Sequence, residues 1–278
     1  METISITNLV ENTAVRQGLR GEHGISFRID TPHGSLLLDT GQSGLFIENA
    51  GMLGISMDSL EHIVLSHGHY DHTGGLFELL SRKPDCTITA HPDAFIDRFT
   101  PDGKNSGTAR SIGIPFEKQQ IKAMCKSLVL DSDPQKIVPG VYTTGQIPRE
   151  TEYEDTGGAF FLDKNFTEKD PLHDDQSLVI ETGKGLVVLL GCCHAGIINT
   201  LNFVSGRWKT REFALVAGGM HLVNASEERL EKTTAALKEF SIGELCPGHC
   251  TGWKAVCYLN AAFPRITQPL SVGWTWSG

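Results

Sequence analysis

Apolar and polar positions change period several times along this chain, and each change marks an element. ISFRID (25–30) alternates apolar and polar residues, the period of a strand with one buried face. GSLLLDTG (34–41) is denser in leucine and closes on an acidic turn, while HIVLS (62–66) and CTITA (86–90) read as further short strands. GGLFELL, before the last of these, reads as a short helix with Thr73 as its expected cap. Farther on, QSLVIETGKGLVVLLGCCHAG (176–196) holds two apolar strands around Thr-Gly-Lys-Gly, a hairpin because glycine reaches turn dihedrals cheaply. IINTLNFV places Ile197, Leu201 and Val204 on one helical face, and EFALVAGGMHL (212–222) is a buried strand running into a glycine turn. NASEERLEKTTAALKEF is an amphipathic helix with Leu230, Leu237 and Phe240 inward; IGELCPGHCTG is a strand and turn, and WKAVCYLNAAF is helical.

Strand and helix thus alternate in both halves, with hairpins between, which predicts two packed sheets flanked by helices. The stretch around 100–175 mixes short apolar pieces with charge, Pro and Gly. It reads as strands carrying long excursions, which either wall a site or stay solvent-facing loops. Residues 1–278 are expected to form a single unit, with Trp274 and Trp276 packed on its core.

Composition narrows the function classes. Lys and Arg total 24 against 33 Asp and Glu, a formal charge of -9, which disfavours nucleic acid and anionic membrane as partners. No apolar run reaches the roughly 18 residues of a membrane span, and METISITNLVEN lacks a basic segment followed by an apolar core. The seven cysteines include no CxxC pair, so a reducing, cytoplasmic setting is expected. Neither GxGxxG nor GxxxxGK[ST] occurs, which leaves dinucleotide and P-loop chemistry without local support.

The densest chemistry lies in VLSHGHYDHTGG (64–75). His67 and His69 share one face if the segment stays extended, and a turn aims Asp71 and His72 at a second nearby point. Imidazole and carboxylate in the pattern HxHxDH suit Zn²⁺, Mn²⁺ or Fe²⁺. His194, His221 and His249 each follow an apolar strand and stand near glycine, so three more strand ends offer histidine to a common rim. Asp39 also ends a strand; it either orients a metal-bound histidine or is an ordinary turn residue. Cys192, Cys193 and Cys250 could in principle be ligands but are read as small buried core residues, and His23, His33, His62, His91 and His173 as exposed or locally bonded.

SHGHYDHTGG with LLLDTG upstream resembles the signature of the metallo-beta-lactamase fold superfamily. Within it, the later segments GCCHAGIINT, GGMHL and PGHCTG are similar to a group labelled 7,8-dihydropterin-6-methyl-4-(beta-D-ribofuranosyl)aminobenzene-5'-phosphate synthase-like. The resemblance implies an α+β fold, a four-layer αββα sandwich with the site at one edge of the sheets. It implies two divalent metal ions, Zn first and Mn or Fe next, one held by His67, His69 and His194 and the other by Asp71, His72 and His249. Many superfamily members carry a bridging aspartate where this chain has His221, so His221 is expected either to ligate or to bind substrate and move protons. The resemblance further implies a metallo-hydrolase using activated water on a small-molecule substrate, anionic or pterin-like, with Asp71 and His221 catalytic; Arg149, in the expected pocket loop, either binds a phosphate or is an ordinary exposed arginine. A lactone or thioester hydrolase and a non-catalytic metal-dependent ligand-binding protein are the alternatives.

Overall fold

The computed structural model describes residues 3–103 and 107–278. Its first half supplies β1 (Ser5–Val10), β2 (Ser26–Thr31), β3 (Gly34–Leu38), β4 (Leu60–Val64) and β5 (Thr87–Ala90), then a small ribbon of β6 (Phe99–Pro101) and β7 (Ala109–Ser111), and β8 (Ser127–Leu130). The second half supplies β9 (Lys136–Val138), β10 (Val141–Thr143), β11 (Ser177–Thr182), β12 (Gly185–Leu190), β13 (Glu212–Gly219), β14 (Ser241–Gly248) and the C-terminal β15 (Thr275–Ser277). The helices are α1 (Leu45–Leu53), α2 (Tyr70–Thr73), α3 (Leu76–Arg82), α4 (Lys118–Met124), α5 (Ile197–Trp208), α6 (Glu227–Leu237) and α7 (Trp253–Ala262).

Two large sheets result, ordered β15-β1-β2-β3-β4-β5-β8 and β14-β13-β12-β11-β10-β9. Strand alternation decides which side each residue faces. Leu36 and Leu38 enter the core between the sheets, where Leu178, Ile180, Val187 and Leu189 meet them, together with Trp274 and Trp276. Leu37 points the other way, into a cluster with Phe46 of α1, Leu76 and Leu79 of α3 and Ile121 of α4. Val179, Val188 and Leu190 back onto α5, α6 and α7 through Ile197, Leu201, Leu230, Leu237 and Leu259. The order helices, sheet, sheet, helices is the αββα sandwich expected from the sequence.

Within this frame β3, β4 and β5 are parallel, as are β12, β13 and β14. Their C-terminal ends therefore collect at one edge, where open α/β sheets place ligands. The helix after the histidine loop differs from the expectation. Thr73 lies inside α2 and donates its hydroxyl to the His69 carbonyl at 2.9 Å, and α3 starts from Gly75 without a side-chain cap. The middle of the chain does yield strands β8, β9 and β10, but residues 144–176 hold almost no regular structure.

Candidate metal centre

The edge gathers side chains from five strand ends. After β4 the chain passes through His67 and His69 and enters α2 with Asp71 and His72. Gly68 is held tightly between the histidines: its N–H donates to Asp174 Oδ2 at 2.7 Å, and a Cβ there would overlap the Ala94 carbonyl oxygen. Asp39 follows β3, Cys192 and His194 follow β12, His221 follows β13 and His249 follows β14. Asp39, Cys193, His221 and His249 all adopt positive φ (61, 60, 45 and 48°), a sparsely populated conformation that the surrounding packing must hold.

Donor atoms converge in three overlapping groups. Asp71, His72, Cys192 and His249 form one; His67, Cys192 and His194 a second; Cys192, His221 and Cys250 a third. Within each group all donor atoms lie within 4.8 Å of one another. His69 is in none of the three groups but stands beside the second: its Nδ1 is 2.9 Å from His67 Nε2 and its ring centroid 5.1 Å from that of His194.

Most of these rings are oriented by a partner on the far nitrogen. His72 Nδ1 is 2.6 Å from Asp39 Oδ2, His194 Nδ1 2.8 Å from the Thr156 carbonyl and His249 Nδ1 3.0 Å from Asn12 Oδ1. An acceptor at Nδ1 fixes the proton there and leaves the Nε2 lone pair facing the cluster. Asp39 is itself clamped by the Ser66 N–H and hydroxyl, each at 2.7 Å. His69 Nε2, His194 Nε2, His249 Nε2 and His221 Nδ1 have no hydrogen-bond partner although they are shut off from solvent. Orphaned buried nitrogens are costly, and a cation among them removes the cost. The donor set and its orphaned atoms thus fit metal ions.

The electrostatics divide the histidines. Burial, reinforced by the neighbouring imidazoles, holds His67 and His194 well below the usual histidine range, in the neutral form a metal requires. Burial also opposes charge on His72, but Asp39 and Asp71 outweigh it and raise its pKa to about 9. Burial opposes ionisation of Asp71 too, yet the charges of His72 and His249, the latter 3.3 Å away at Nε2, hold its carboxyl well below the carboxylate range.

Other assignments shift. Arg149 lines the larger of two adjoining cavities, while Nη1 donates to the His194 carbonyl at 2.7 Å and Nη2 to the Leu172 carbonyl at 3.0 Å. It anchors the turn that carries His194. Cys192 and Cys250 are buried as expected, but their sulfurs join the donor groups instead of merely filling the core; Cys192 Sγ is 3.1 Å from His72 Nε2. His23, read as a peripheral histidine, sits with Nε2 3.3 Å from Asp71 Oδ2 and its ring centroid 5.0 Å from that of His249. Its only sequence signal is the glycine on either side of its loop, which does not distinguish it. Behind the histidine loop, Arg98 is fully buried between Asp170 and Asp174, 2.7 Å from each. This ties the 170–175 segment to the ligand loop through Gly68. Burial pushes Asp174 up to about 7 even against the charge of Arg98.

Two cavities meet here. A cleft of about 240 Å³ opens on the cluster, with Tyr70, Arg110 and Phe160 among its walls. A larger one of about 980 Å³ lies beyond, walled chiefly by the irregular segment and the start of α6, and touches none of the ligand candidates. Phe160 lines both, with its ring centroid 5.1 Å from that of His69 and 5.3 Å from that of His194. His221 packs across Gly157 so closely that a Cβ there would collide with its ring; φ at that glycine is +82°.

Comparison with known proteins places this geometry. The family model described as the metallo-beta-lactamase superfamily matches residues 20–249. The chain is 32% identical to the 7,8-dihydropterin-6-methyl-4-(beta-D-ribofuranosyl)-aminobenzene-5'-phosphate synthase of Methanocaldococcus jannaschii, over 98% of this chain and 96% of that one. It is 33% identical to an uncharacterised protein of the same organism, MJ0448, over 91% and 92% respectively. Among solved structures, Tm1679, described as a metal-dependent hydrolase of the beta-lactamase superfamily, superposes with a TM-score of 0.84 at 29% identity, covering 98% of each chain.

Proposed function

Because the chain belongs to the metallo-beta-lactamase superfamily, we propose that this metal-dependent hydrolase works through a binuclear centre on a small phosphorylated metabolite, pterin-like in its ring. The observation that carries the reading is the set of three overlapping donor groups at one sheet edge, whose members His194 and His249 keep buried, unpartnered Nε2 atoms. His67, His69 and His194 hold one divalent ion, and Asp71, His72 and His249 the other, with zinc the first choice and manganese or iron next. When bound, such ions supply Lewis acidity and an activated water.

The remaining work falls to the chain. Asp39 keeps the proton on His72 Nδ1, so that Nε2 faces the centre. Arg149, through the His194 carbonyl, and Asp175, which accepts from the Ala195 N–H at 2.8 Å, hold the turn on either side of His194. His221 lines the cleft without being committed to a partner at Nδ1, which suits it to hand a proton to a departing group. Phe160 excludes water from the cluster side of the cleft.

Two features favour the substrate class. Arg110 places a cation at the wall of the cleft, and the larger cavity offers Tyr153, Phe160 and Phe161 to a flat heteroaromatic ring. The relative at 32% identity is named for a dihydropterin phosphate product. A hydrolysis panel at defined metal loading tests the reading, with an aryl phosphate, a cyclic phosphodiester, an acyl-homoserine lactone and a thioester. Cleavage of one or both phosphoesters is expected. Turnover of lactone or thioester alone overturns the substrate class, and no turnover by fully loaded protein moves the chain to metal-dependent ligand binding.

A further inference from the structure

Cys192 is the one residue common to all three donor groups. Its sulfur lies 3.1 Å from His72 Nε2, and Asp39 fixes that ring from behind. The same sulfur is within 4.8 Å of the donor nitrogens of His67 and His194 on one side, and of the donor atoms of Asp71 and His249 on the other. The side chain is 3% exposed, so water does not compete for it. His194, fully buried, has its Nε2 free of any partner in the same space.

Charge supplies the second argument. Two divalent ions bring four positive charges into a buried site. Of the six side chains assigned to hold them, five are imidazoles and only Asp71 is an anion. Asp39 carries a further carboxylate one step away, but both its oxygens are engaged by Ser66 and His72. Asp175 accepts from the Ala195 backbone, and no carboxylate joins the donor groups from the end of β13, where His221 stands. Buried positive charge without anionic partners is expensive. A thiolate at the shared position offsets part of it.

We infer that Cys192 is a sulfur ligand shared by the two metal positions. The inference rests on the binuclear reading and goes beyond it by adding a ligand of a different chemical kind. As the metal–sulfur bonds form, the S–H bond breaks and its proton leaves to solvent; no electron is transferred. Thiolate ligation tilts the site toward zinc, cobalt and iron and away from manganese. Cys250 belongs to the third donor group alone, with Cys192 and His221, and its Sγ donates to the Cys192 carbonyl at 3.5 Å, supporting the turn that aims Cys192.

The test is the absorption spectrum of protein loaded with Co²⁺, with cobalt per chain measured on the same samples. A near-ultraviolet thiolate-to-cobalt charge-transfer band is expected in the unaltered protein and in Cys250→Ser, and its loss in Cys192→Ser with at least one cobalt retained. Two bound cobalt ions without the band overturn the inference and leave the binuclear reading standing. Failure to bind two overturns both. A band that persists in Cys192→Ser assigns the sulfur elsewhere. Cadmium-113 resonance of the unaltered protein tests the same ligand without any substitution: both signals are expected downfield, in the sulfur-ligated range, and two signals in the nitrogen and oxygen range contradict the shared sulfur.

Discussion

The two sheets feed the same centre in different ways. The first delivers four candidate ligands in six consecutive residues, His67 to His72, because one strand ends, turns and starts a helix there. The second delivers its residues singly, Cys192 with His194, then His221, then His249, each from the end of a separate parallel strand. Local chain geometry places the first set; sheet topology places the second. The first set leans on Asp39 at His72 and on Asp174 at Gly68, and His249 on Asn12, whereas the His194 turn is held largely by the irregular 144–176 segment: Thr156 on His194, Arg149 and Asp175 on the same turn, Glu154 on the start of α5.

Substitutions on the two sides separate these roles. His67→Ala removes a ligand from the compact loop and is expected to lower turnover by more than the roughly 100-fold upper range for losing a ligand's partner, with metal content falling in parallel; steady-state kinetics beside metal analysis checks it. Arg98→Ala strips the buried cation that joins the irregular segment to the loop. It leaves Asp170 and Asp174 unpaired and should cost about 3–5 kcal/mol of stability in denaturant titration. Asp39→Asn keeps the shape but weakens the orientation of His72, and a drop of about 10–100-fold in metal affinity by competition with a chelator is expected. Phe160→Ala is the mildest: the ring touches the histidines but ligates nothing. Metal content should stay constant while KM rises about threefold to tenfold, the weight of about 0.5–1.5 kcal/mol for an aromatic contact. Equal metal loss in Phe160→Ala and His67→Ala would erase the distinction between the two sides.

The same division explains what can be read without coordinates. The alternating run at 25–30 and the denser apolar runs at 34–38, 176–182 and 185–190 form strands because their side chains are buried against the partner sheet on one face and, in the denser runs, against helices on the other. The histidine loop is legible because all its chemistry is local. His194, His221 and His249 are legible because each repeats a strand end beside glycine. His23 is not, since only the pairing of β2 beside β3 brings its loop to Asp71. Cys192 and Cys250 read as core because burial and ligation look alike for a cysteine in an apolar run; the distinguishing fact is what the sulfur faces. Arg149 lies beside the site and lines the larger cavity while donating to two carbonyls, an engagement that has the same sequence signal as a guanidinium open to a phosphate. Thr73 is no cap because the chain enters α2 three residues earlier and uses the threonine hydroxyl inside the turn.

The central claim, a binuclear centre shared between the two sheets, is tested most directly by metal analysis of protein purified without a histidine tag, reported as ions per chain. The expected result is close to two ions of zinc, manganese or iron. Zero or one, even after reconstitution with an excess of each metal, would contradict it.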